Sequence, residues 1–225
     1  MAEFDLWREY SRTFKSFVAR VDRQYEWYRH CEILGSVLDR VASGEIKRLM
    51  IFMPPRHGKS EAVSRLFSAY WLYRFPGQSV GLASYGADLA LGLSYEAKRF
   101  YSVLGVVQED VAAKREWKTV DGSTMWAAGV GGPITGKGFN LGIIDDPIKN
   151  PEEAESETIR KQHIEWYRAV WTTRQEPNAS EIIIQTRWHV NDLAGHLLET
   201  SSPFHIINFP AIKELNEKTF ENCTV

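Results

Sequence analysis

The sequence predicts an α/β fold in which a mostly parallel β-sheet is covered by helices on both faces. Short apolar runs alternate with longer segments of helical periodicity, which is typical of parallel strands joined by helices. The strands are predicted at 48–53, 79–84, 141–145, 181–186 and 204–209. The helices between them are predicted at 59–73, 87–101, 152–173 and 191–201. The length of 225 residues allows one large domain or two small ones.

Composition excludes several classes of protein. Hydrophobic residues at 44% and charged residues at 25% are globular values, so a disordered or fibrous chain does not fit. The 27 Lys and Arg against 29 Asp and Glu leave a net charge of −2, without the excess of positive charge that permanent DNA binding needs. No apolar run could cross a bilayer and the N-terminus has no secretory pattern, so we expect no membrane partner. Cys31 and Cys223 have no metal-ligand spacing, which favours the cytoplasm.

We predict three parts along the chain, with a helical N-terminal arm at 1–45, a core at 46–210 and a tail at 211–225. In the arm, one apolar stripe runs at helical spacing from Phe14 to Tyr28. A second stripe runs from Ile33 to Val41 and stops at Ser43-Gly44, a pair typical of a helix C-terminus.

The interval 116–128 departs from the alternation of strands and helices. Two short runs of β-forming residues flank Asp121-Gly122, a pair that favours a tight turn, so we predict a β-hairpin here. Five glycines follow within ten residues, which indicates either a loose connection or a functional loop; they are Gly129, Gly131, Gly132, Gly136 and Gly138.

The sharpest chemical signal follows the first predicted strand, where Pro54-Pro55-Arg56-His57-Gly58-Lys59-Ser60 leads into a helix. This arrangement places backbone N–H groups and a lysine around polyphosphate oxygens, although Met53 replaces the usual first glycine. Gly58 would let the backbone approach the phosphates, Lys59 would bridge the β and γ groups, and the Ser60 hydroxyl would bind Mg²⁺. An ordinary helix start is the alternative. The predicted ATP-binding residues are Pro55, Arg56, His57, Gly58, Lys59 and Ser60.

A second signal is a buried-strand run that ends in the carboxylates Asp145 and Asp146. Adjacent acids at the carboxyl end of a central strand lie where ligands bind in open α/β sheets. Asp145 would hold Mg²⁺ directly or through its water, and Asp146 would orient and deprotonate the water that attacks the γ-phosphate. The alternative is an Asp pair that caps the next helix. Their position about 85 residues after the Gly-Lys-Ser loop favours an ATP site.

A third predicted strand ends at Thr186, which could sense the γ-phosphate or could be an ordinary turn residue. Arg187 and His189 follow it and could equally be surface residues. The spacing of His189, Asp192 and His196 matches no standard metal site, so we predict no metal site built from protein ligands alone.

Five blocks, in order, resemble the large terminase subunit of tailed bacteriophages, the ATP-driven motor that packages DNA into empty capsids. Each block alone is weak, but the set in this order is specific, and the likeness runs from about His30 to Ala211. The blocks are GEIKRL (44–49) leading into PPRHGKS (54–60), ASY (83–85), GPITGKG (132–138), IIDDP (143–147) and QTRWH (185–189).

The resemblance implies a P-loop ATPase of the additional-strand, catalytic-glutamate type. It also implies a homo-pentamer on the capsid portal in the host bacterial cytoplasm, with double-stranded DNA and the small terminase subunit as partners. In the family a ribonuclease-H-like nuclease domain follows the ATPase. Its acidic cluster has no counterpart before Val225, so we expect ATP hydrolysis but no nuclease activity from this chain.

Two departures from the family pattern concern the chemistry. Asp146 stands where the wider class has glutamate, so we expect its shorter carboxylate to act through a second water and hydrolysis to be slow. Lys137 stands where related motors place an arginine that reaches a neighbouring subunit's ATP, and Arg56, acting in cis, and Arg187 are its rivals. His30 occupies the place where related ATPases read adenine, and a packing role is its alternative.

Two other functions remain open from the sequence. A helicase-like remodelling ATPase would share the loop and the acid pair, although helicases usually need two such sheets. A nucleotide-gated docking module for the portal or an adaptor would bind nucleotide with little turnover. For the motor, DNA contacts are expected from a few local basic residues in the assembly, for which the candidates are Arg8, Arg12, Lys15 and Lys98-Arg99.

Overall fold

The computed structural model describes residues 11–108, 115–200 and 203–210. Within these residues, seven strands form one sheet in the order β3-β4-β2-β5-β6-β1-β7. The strands are β1 (Arg48–Phe52), β2 (Ser79–Ser84), β3 (Glu116–Lys118), β4 (Thr124–Gly129), β5 (Phe139–Asp145), β6 (Gln175–Gln185) and β7 (His205–Asn208). Only β3 and β4 pair antiparallel among them, so the predicted, mostly parallel sheet is confirmed.

Helices cover both faces of this sheet. They are α1 (Phe14–Val21), α2 (Arg29–Ala42), α3 (Ser68–Arg74), α4 (Ala87–Tyr101), α5 (Pro151–Glu155), α6 (Glu157–Trp166) and α7 (Leu193–Thr200). Two π-helical segments extend this set, Glu61–Phe67 ahead of α3 and Tyr167–Trp171 after α6, and a 3₁₀ turn, Thr172–Arg174, leads into β6. No helix of the described residues has the length and apolar character that crossing a membrane requires.

Side chains alternate along each strand, so the sheet separates two buried clusters. Ile51 and Ile184 enter the cluster that contains residues of α1, α2, α3 and α4. Met50 and Ile183, their chain neighbours, enter the cluster that contains residues of α6 and α7. Phe14 and Phe17 of the N-terminal arm are fully buried in the first cluster, so the arm shares the core of the sheet.

The order of the sheet places β6 between β1, which precedes the Gly-Lys-Ser loop, and β5, which ends in the acid pair. This is the additional strand that the resemblance implied, and that expectation is confirmed. The predicted hairpin is also confirmed, with Glu116 opposite Trp126 and Gly122 at a φ of +88° in the turn. In addition, β4 pairs parallel with β2, so the hairpin extends the sheet.

Two segments of helical spacing are divided in the structure. The stripe from Phe14 to Tyr28 is not one helix, because α1 ends at Val21 and Asp22 is extended. The Asp22 carboxylate accepts a hydrogen bond from Gln24 N, 3.1 Å away, and such local bonds compete with the helical ladder. The predicted helix 152–173 breaks at Ser156, whose hydroxyl caps α6 by accepting from Ile159 N.

Other boundaries shift less. The second stripe ends as predicted, since Ser43 caps α2 and Gly44 has a φ of +81°. β6 begins at Gln175, six residues before the predicted strand. The prediction missed this first part of the strand because its residues are exposed and carry no apolar pattern. The helix predicted at 191–201 runs from Leu193 to Thr200. The tail at 211–225, Arg8 and Cys223 lie outside the described residues.

Candidate nucleotide-binding site

Three parallel strands, β1, β5 and β6, bring the Gly-Lys-Ser loop, the acid pair and Thr186 to one end of the sheet. Ile184 pairs with Ile51 of β1 on one side and with Asp145 of β5 on the other. The loop after Phe52, the acid pair and Thr186 therefore follow the carboxyl ends of neighbouring strands. Ligands of open α/β sheets bind at this edge.

The loop between β1 and the first helical turn takes a sharply turned path. Gly58 has a φ of +79°, and the space beside its Cα is open, so glycine is needed here for its backbone conformation. Arg56 also has a positive φ, +62°, which is strained for a residue with a side chain. The side chains from Pro55 to His57 are exposed along this loop. Ala62 N donates to Gly58 O at 2.9 Å and begins the helical turns that follow.

Lys59, Asp146 and Thr186 contact one another in the structure. Lys59 is only 6% exposed, and its Nζ lies 2.6 Å from Asp146 Oδ2. The same Nζ lies 3.3 Å from Thr186 Oγ1, which in turn donates to Met53 O. The backbone N of Thr186 donates to Asp146 Oδ1 at 2.9 Å. The Gly-Lys-Ser loop, the acid pair and the end of β6 therefore meet at one place in the structure.

Asp145 is the buried member of the acid pair. Ser60 Oγ donates to its Oδ1 at 3.0 Å, and Ser64 Oγ donates to its Oδ2 at 2.5 Å. Burial raises the pKa of Asp145 to about 6, while the Ser64 hydroxyl opposes that rise and the charge of Asp146 adds to it. Our sequence reasoning missed Ser64. The available signal was its position four residues after Ser60, on the same side of the helical run.

Asp146 holds a strained backbone conformation, with a φ of +43°. Two bonds fix this peptide, since its N donates to Ile184 O at 2.8 Å and its O accepts from Tyr85 N at 3.1 Å. Strain of this kind is held by the surrounding structure and is common at functional sites. It directs the Asp146 carboxylate toward Lys59 while Asp145 stays among the serine hydroxyls.

The oxygens of Ser60 and Asp145 fit a magnesium ion that also binds nucleotide phosphate. Mg²⁺ prefers oxygen ligands and usually takes only one or two from protein, with waters and phosphate oxygens completing its shell. The described residues contain no group of three or more His, Cys, Asp or Glu that could hold a metal by themselves. A site of this type therefore depends on the nucleotide for the remaining ligands.

His30 lies beside the loop, as its predicted role requires. Its Nε2 donates to His57 O at 3.2 Å, and its ring stacks on Tyr28 with a centroid separation of 5.9 Å. Phe209 packs edge-on against the same ring at 6.2 Å. A recess of about 560 Å³ opens next to this cluster, between the loop and the ends of β1, β6 and β7. The adenine contact of His30 remains a prediction.

Lys137 lies far from the Gly-Lys-Ser loop of its own chain. Its Nζ pairs with Glu116 of β3 at 2.6 Å, and four strands separate β3 from β1 in the sheet. Lys137 also lines a cavity of about 310 Å³ together with Arg115 and Tyr85. Its predicted action on a neighbouring subunit remains a prediction, and this position gives it no role in its own site.

The two rival arginines differ in their surroundings. Arg56 is exposed on the loop. Arg187 is held by Asp192, with Nε 2.9 Å from Oδ2, and its guanidinium lies 5.1 Å from the ring centroid of Phe52. Its NH2 also donates to Val190 O at 3.1 Å. Of the two arginines, Arg56 is therefore the one whose side chain is exposed at the loop.

The histidines and the acid near the end of β6 have separate partners. Asp192 is 1% exposed and accepts hydrogen bonds from Gln185 Nε2 and Gly195 N as well as from Arg187. Burial raises the pKa of Asp192, and these three donors oppose the rise. His196 contacts Arg168, and His189 accepts from Asn191 N. The contacts of Asp192 thus hold together Gln185, Arg187 and Gly195, and the two histidines contact other residues.

A Gly-Lys-Ser loop, an acid pair at the same sheet edge and an extra strand between them define a P-loop ATPase fold of the additional-strand type. The family model described as terminase large subunit, T4-like-virus type, N-terminal, matches residues 50–222. The chain belongs to this family, and the resemblance found in the sequence is confirmed. No curated protein sequence matches the chain.

Solved structures of two large terminases share this fold. The HK97 bacteriophage large terminase aligns with a TM-score of 0.60 and 13% identity over 92% of this chain and 46% of that one. The large terminase from a thermophilic bacteriophage aligns with a TM-score of 0.50 and 14% identity over 90% of this chain and 46% of that one. The chain spans about half the length of each protein.

Proposed function

We propose that this chain is the ATP-hydrolysing motor domain that drives double-stranded viral DNA into procapsids. The observation that carries the proposal is the convergence of Lys59 on Asp146, 2.6 Å apart, beside the Ser60–Asp145 pair, 3.0 Å apart. Membership of the terminase family supports the DNA-packaging role. The large terminase from the thermophilic bacteriophage has also been solved in complexes with ATP-γ-S and with ADP.

In this proposal the loop residues bind the triphosphate. The backbone N–H groups around Gly58 and the Lys59 ammonium bind its β- and γ-phosphates, while Ser60 and Asp145 hold Mg²⁺. When bound there, Mg²⁺ would supply positive charge that neutralises the phosphate oxygens, and Ser60 and Asp145 are the residues that would hold it. When Lys59 turns to the phosphates it leaves Asp146, whose carboxylate is then available to a water.

Asp146 then acts as the general base. It accepts a proton as the water oxygen bonds to the γ-phosphorus, and the bond to the bridging oxygen breaks so that the electron pair leaves with ADP. Thr186 keeps Asp146 oriented through its backbone N–H, 2.9 Å from Oδ1. The hydroxyl of Thr186, 3.3 Å from Lys59, is placed to respond when the lysine moves.

The negative charge on the γ-phosphoryl group during its transfer requires a further cation to neutralise it. We propose that Lys137 supplies it in trans, from a neighbouring copy in a homo-pentamer on the portal, because its own loop lies across the sheet. Arg56, exposed on the loop, is the candidate in cis. The proposal places the assembly at the procapsid portal vertex in the host cytoplasm, with the small terminase subunit as a partner.

Phosphate release measured with and without duplex DNA, over a range of protein concentrations, tests this function. If the chain is a motor, phosphate release requires Mg²⁺, and the specific activity rises with protein concentration and on addition of duplex DNA. A parallel assay of nucleotide binding separates the alternatives. Nucleotide that binds without release of phosphate would replace the motor by a docking module, and release stimulated by single strands rather than duplex would favour a remodelling ATPase.

A further inference from the structure

We infer that Ser64 is a positioning residue for the magnesium site, acting by holding the carboxylate of Asp145 in one orientation. The inference rests on the proposed function, since it assigns Asp145 to Mg²⁺. It adds a residue outside the Gly-Lys-Ser loop to that site.

The two oxygens of Asp145 are held by two different hydroxyl groups. Ser60 donates to Oδ1 at 3.0 Å and Ser64 donates to Oδ2 at 2.5 Å. The carboxylate therefore cannot rotate about its Cβ–Cγ bond without losing both hydrogen bonds. Hydrogen bonds to an ionised acceptor are short and strong, so the short Ser64 contact contributes substantially to this orientation.

The path of the chain explains how both serines reach the same carboxylate. They lie four residues apart, with Ser60 directly ahead of the π-helical segment Glu61–Phe67 and Ser64 within it. π-helical turns are rare and occur frequently at functional sites. Ser64 is fully buried, so Asp145 is its contact in a place that water does not reach.

The next serine on this side of the helix shows that burial alone does not require such a bond. Ser68 is also fully buried, four residues further on, and its Oγ has no hydrogen-bond partner. The fold thus tolerates the buried hydroxyl of Ser68 although this hydroxyl forms no hydrogen bond. Ser68 is a matched control for a substitution at Ser64, because both remove one buried hydroxyl from the same helical run.

The decisive readout is the Mg²⁺ requirement for nucleotide binding, followed with a fluorescent ATP analogue. We expect Ser64→Ala to need at least about tenfold more Mg²⁺ for half-maximal binding, the lower limit for one hydrogen bond to a charged group. Binding of the analogue in EDTA should stay at the wild-type level. Ser68→Ala should match the wild type in both conditions.

A Ser64→Ala variant with the wild-type Mg²⁺ requirement, or one that loses binding equally with and without Mg²⁺, would overturn the inference. If Ser64→Ala does not fold, as judged by circular dichroism, Ser64→Cys keeps the volume with a weaker donor and should show the same direction of change. If neither variant folds, Ser64 is a folding residue and the inference is wrong. Failure of the wild-type chain itself to bind nucleotide with Mg²⁺ would instead reject the proposed function.

Discussion

The ammonium group of Lys59 lies 2.6 Å from Oδ2 of Asp146, although the two residues come from opposite sides of the additional strand. Both side chains are largely removed from water, with side-chain exposures of 8% and 27%. The pair places the lysine that we propose to bind phosphate and the proposed base at one point. Any group that attracts Lys59 away therefore also changes the surroundings of Asp146.

Replacing Asp146 by Asn should separate binding from turnover. The amide keeps the size and accepts the hydrogen bond from Thr186, but it cannot take a proton from water. We expect kcat to fall at least about 100-fold, with nucleotide affinity retained. Steady-state phosphate release and equilibrium binding measure the two effects, and hydrolysis at the native rate would reject Asp146 as the base.

A second substitution at the same residue, Asp146→Glu, tests whether the length of this side chain limits the rate of hydrolysis. A carboxylate one methylene longer reaches the attacking water without a second water, so we expect kcat to rise. A fall in kcat with unchanged nucleotide affinity would show that the site is built around the shorter acid.

Lys137 is tested by mixing two inactive variants. Lys137→Ala should lower the specific activity of the assembly by up to about 10³-fold, because it removes the cation that we propose to act on the transferring phosphate. Mixing it with Lys59→Ala should restore activity. In the mixed assembly a Lys59→Ala subunit offers its intact Lys137 to the intact Gly-Lys-Ser loop of a neighbouring Lys137→Ala subunit. Lys118→Ala is the control, because Lys118 also contacts Glu116, at 3.8 Å. If the mixed assemblies do not regain activity, the proposal that Lys137 acts on a neighbouring subunit is rejected.

Glu181 at the amino end of the sheet is predicted to control stability rather than activity. This buried carboxylate accepts hydrogen bonds from Tyr167 Oη and Trp171 Nε1, both at 2.9 Å. Tyr167→Phe should lower the free energy of unfolding by about 1.5 to 3 kcal/mol, the range for a hydrogen bond to a charged group. Denaturant unfolding measures this change. Tyr95→Phe, at a tyrosine that is 62% exposed, should change stability little, and equal effects would contradict the assignment.

Asp145 should make folding depend on pH in the absence of nucleotide and Mg²⁺. Burial raises its pKa from 3.8 to about 6, so the folded state binds more protons than the unfolded state between these values. Protonated Asp145 therefore contributes to the free energy of unfolding below about pH 4. This contribution, up to about 3 kcal/mol, is lost as the pH rises through about 6. Unfolding measured across this range should show a smaller loss in Asp145→Asn. Identical profiles for the two proteins would contradict the shift.

Much of the site was predictable because its residues end apolar strands. Lys59, Asp145, Asp146 and Thr186 each follow a run whose pattern identifies a buried strand, and parallel strands bring such residues to one edge. Ser64 was not predictable in this way. Its contact depends on which face of the helix meets β5, and spacing alone does not distinguish Ser64 from the unpartnered Ser68.

The fold was predictable where burial produces a pattern and less so where polar contacts set the boundaries. α1 ends at Val21 although the aromatic spacing continues, because Asp22 forms its own local hydrogen bond. β6 begins among exposed polar residues that give no apolar signal. The position of Lys137 on Glu116 depends on the pairing of β3 with β4 at the sheet edge, which a linear sequence does not display.

Phosphate release by the Lys59→Ala variant shows whether the loop and the acid pair act on the same ATP. We expect Mg²⁺-dependent ATP hydrolysis to be abolished in this variant and retained in Lys161→Ala, which alters a lysine with 71% side-chain exposure on α6. Hydrolysis by Lys59→Ala at the wild-type rate would contradict the claim that the Gly-Lys-Ser loop and the acid pair form one ATP site.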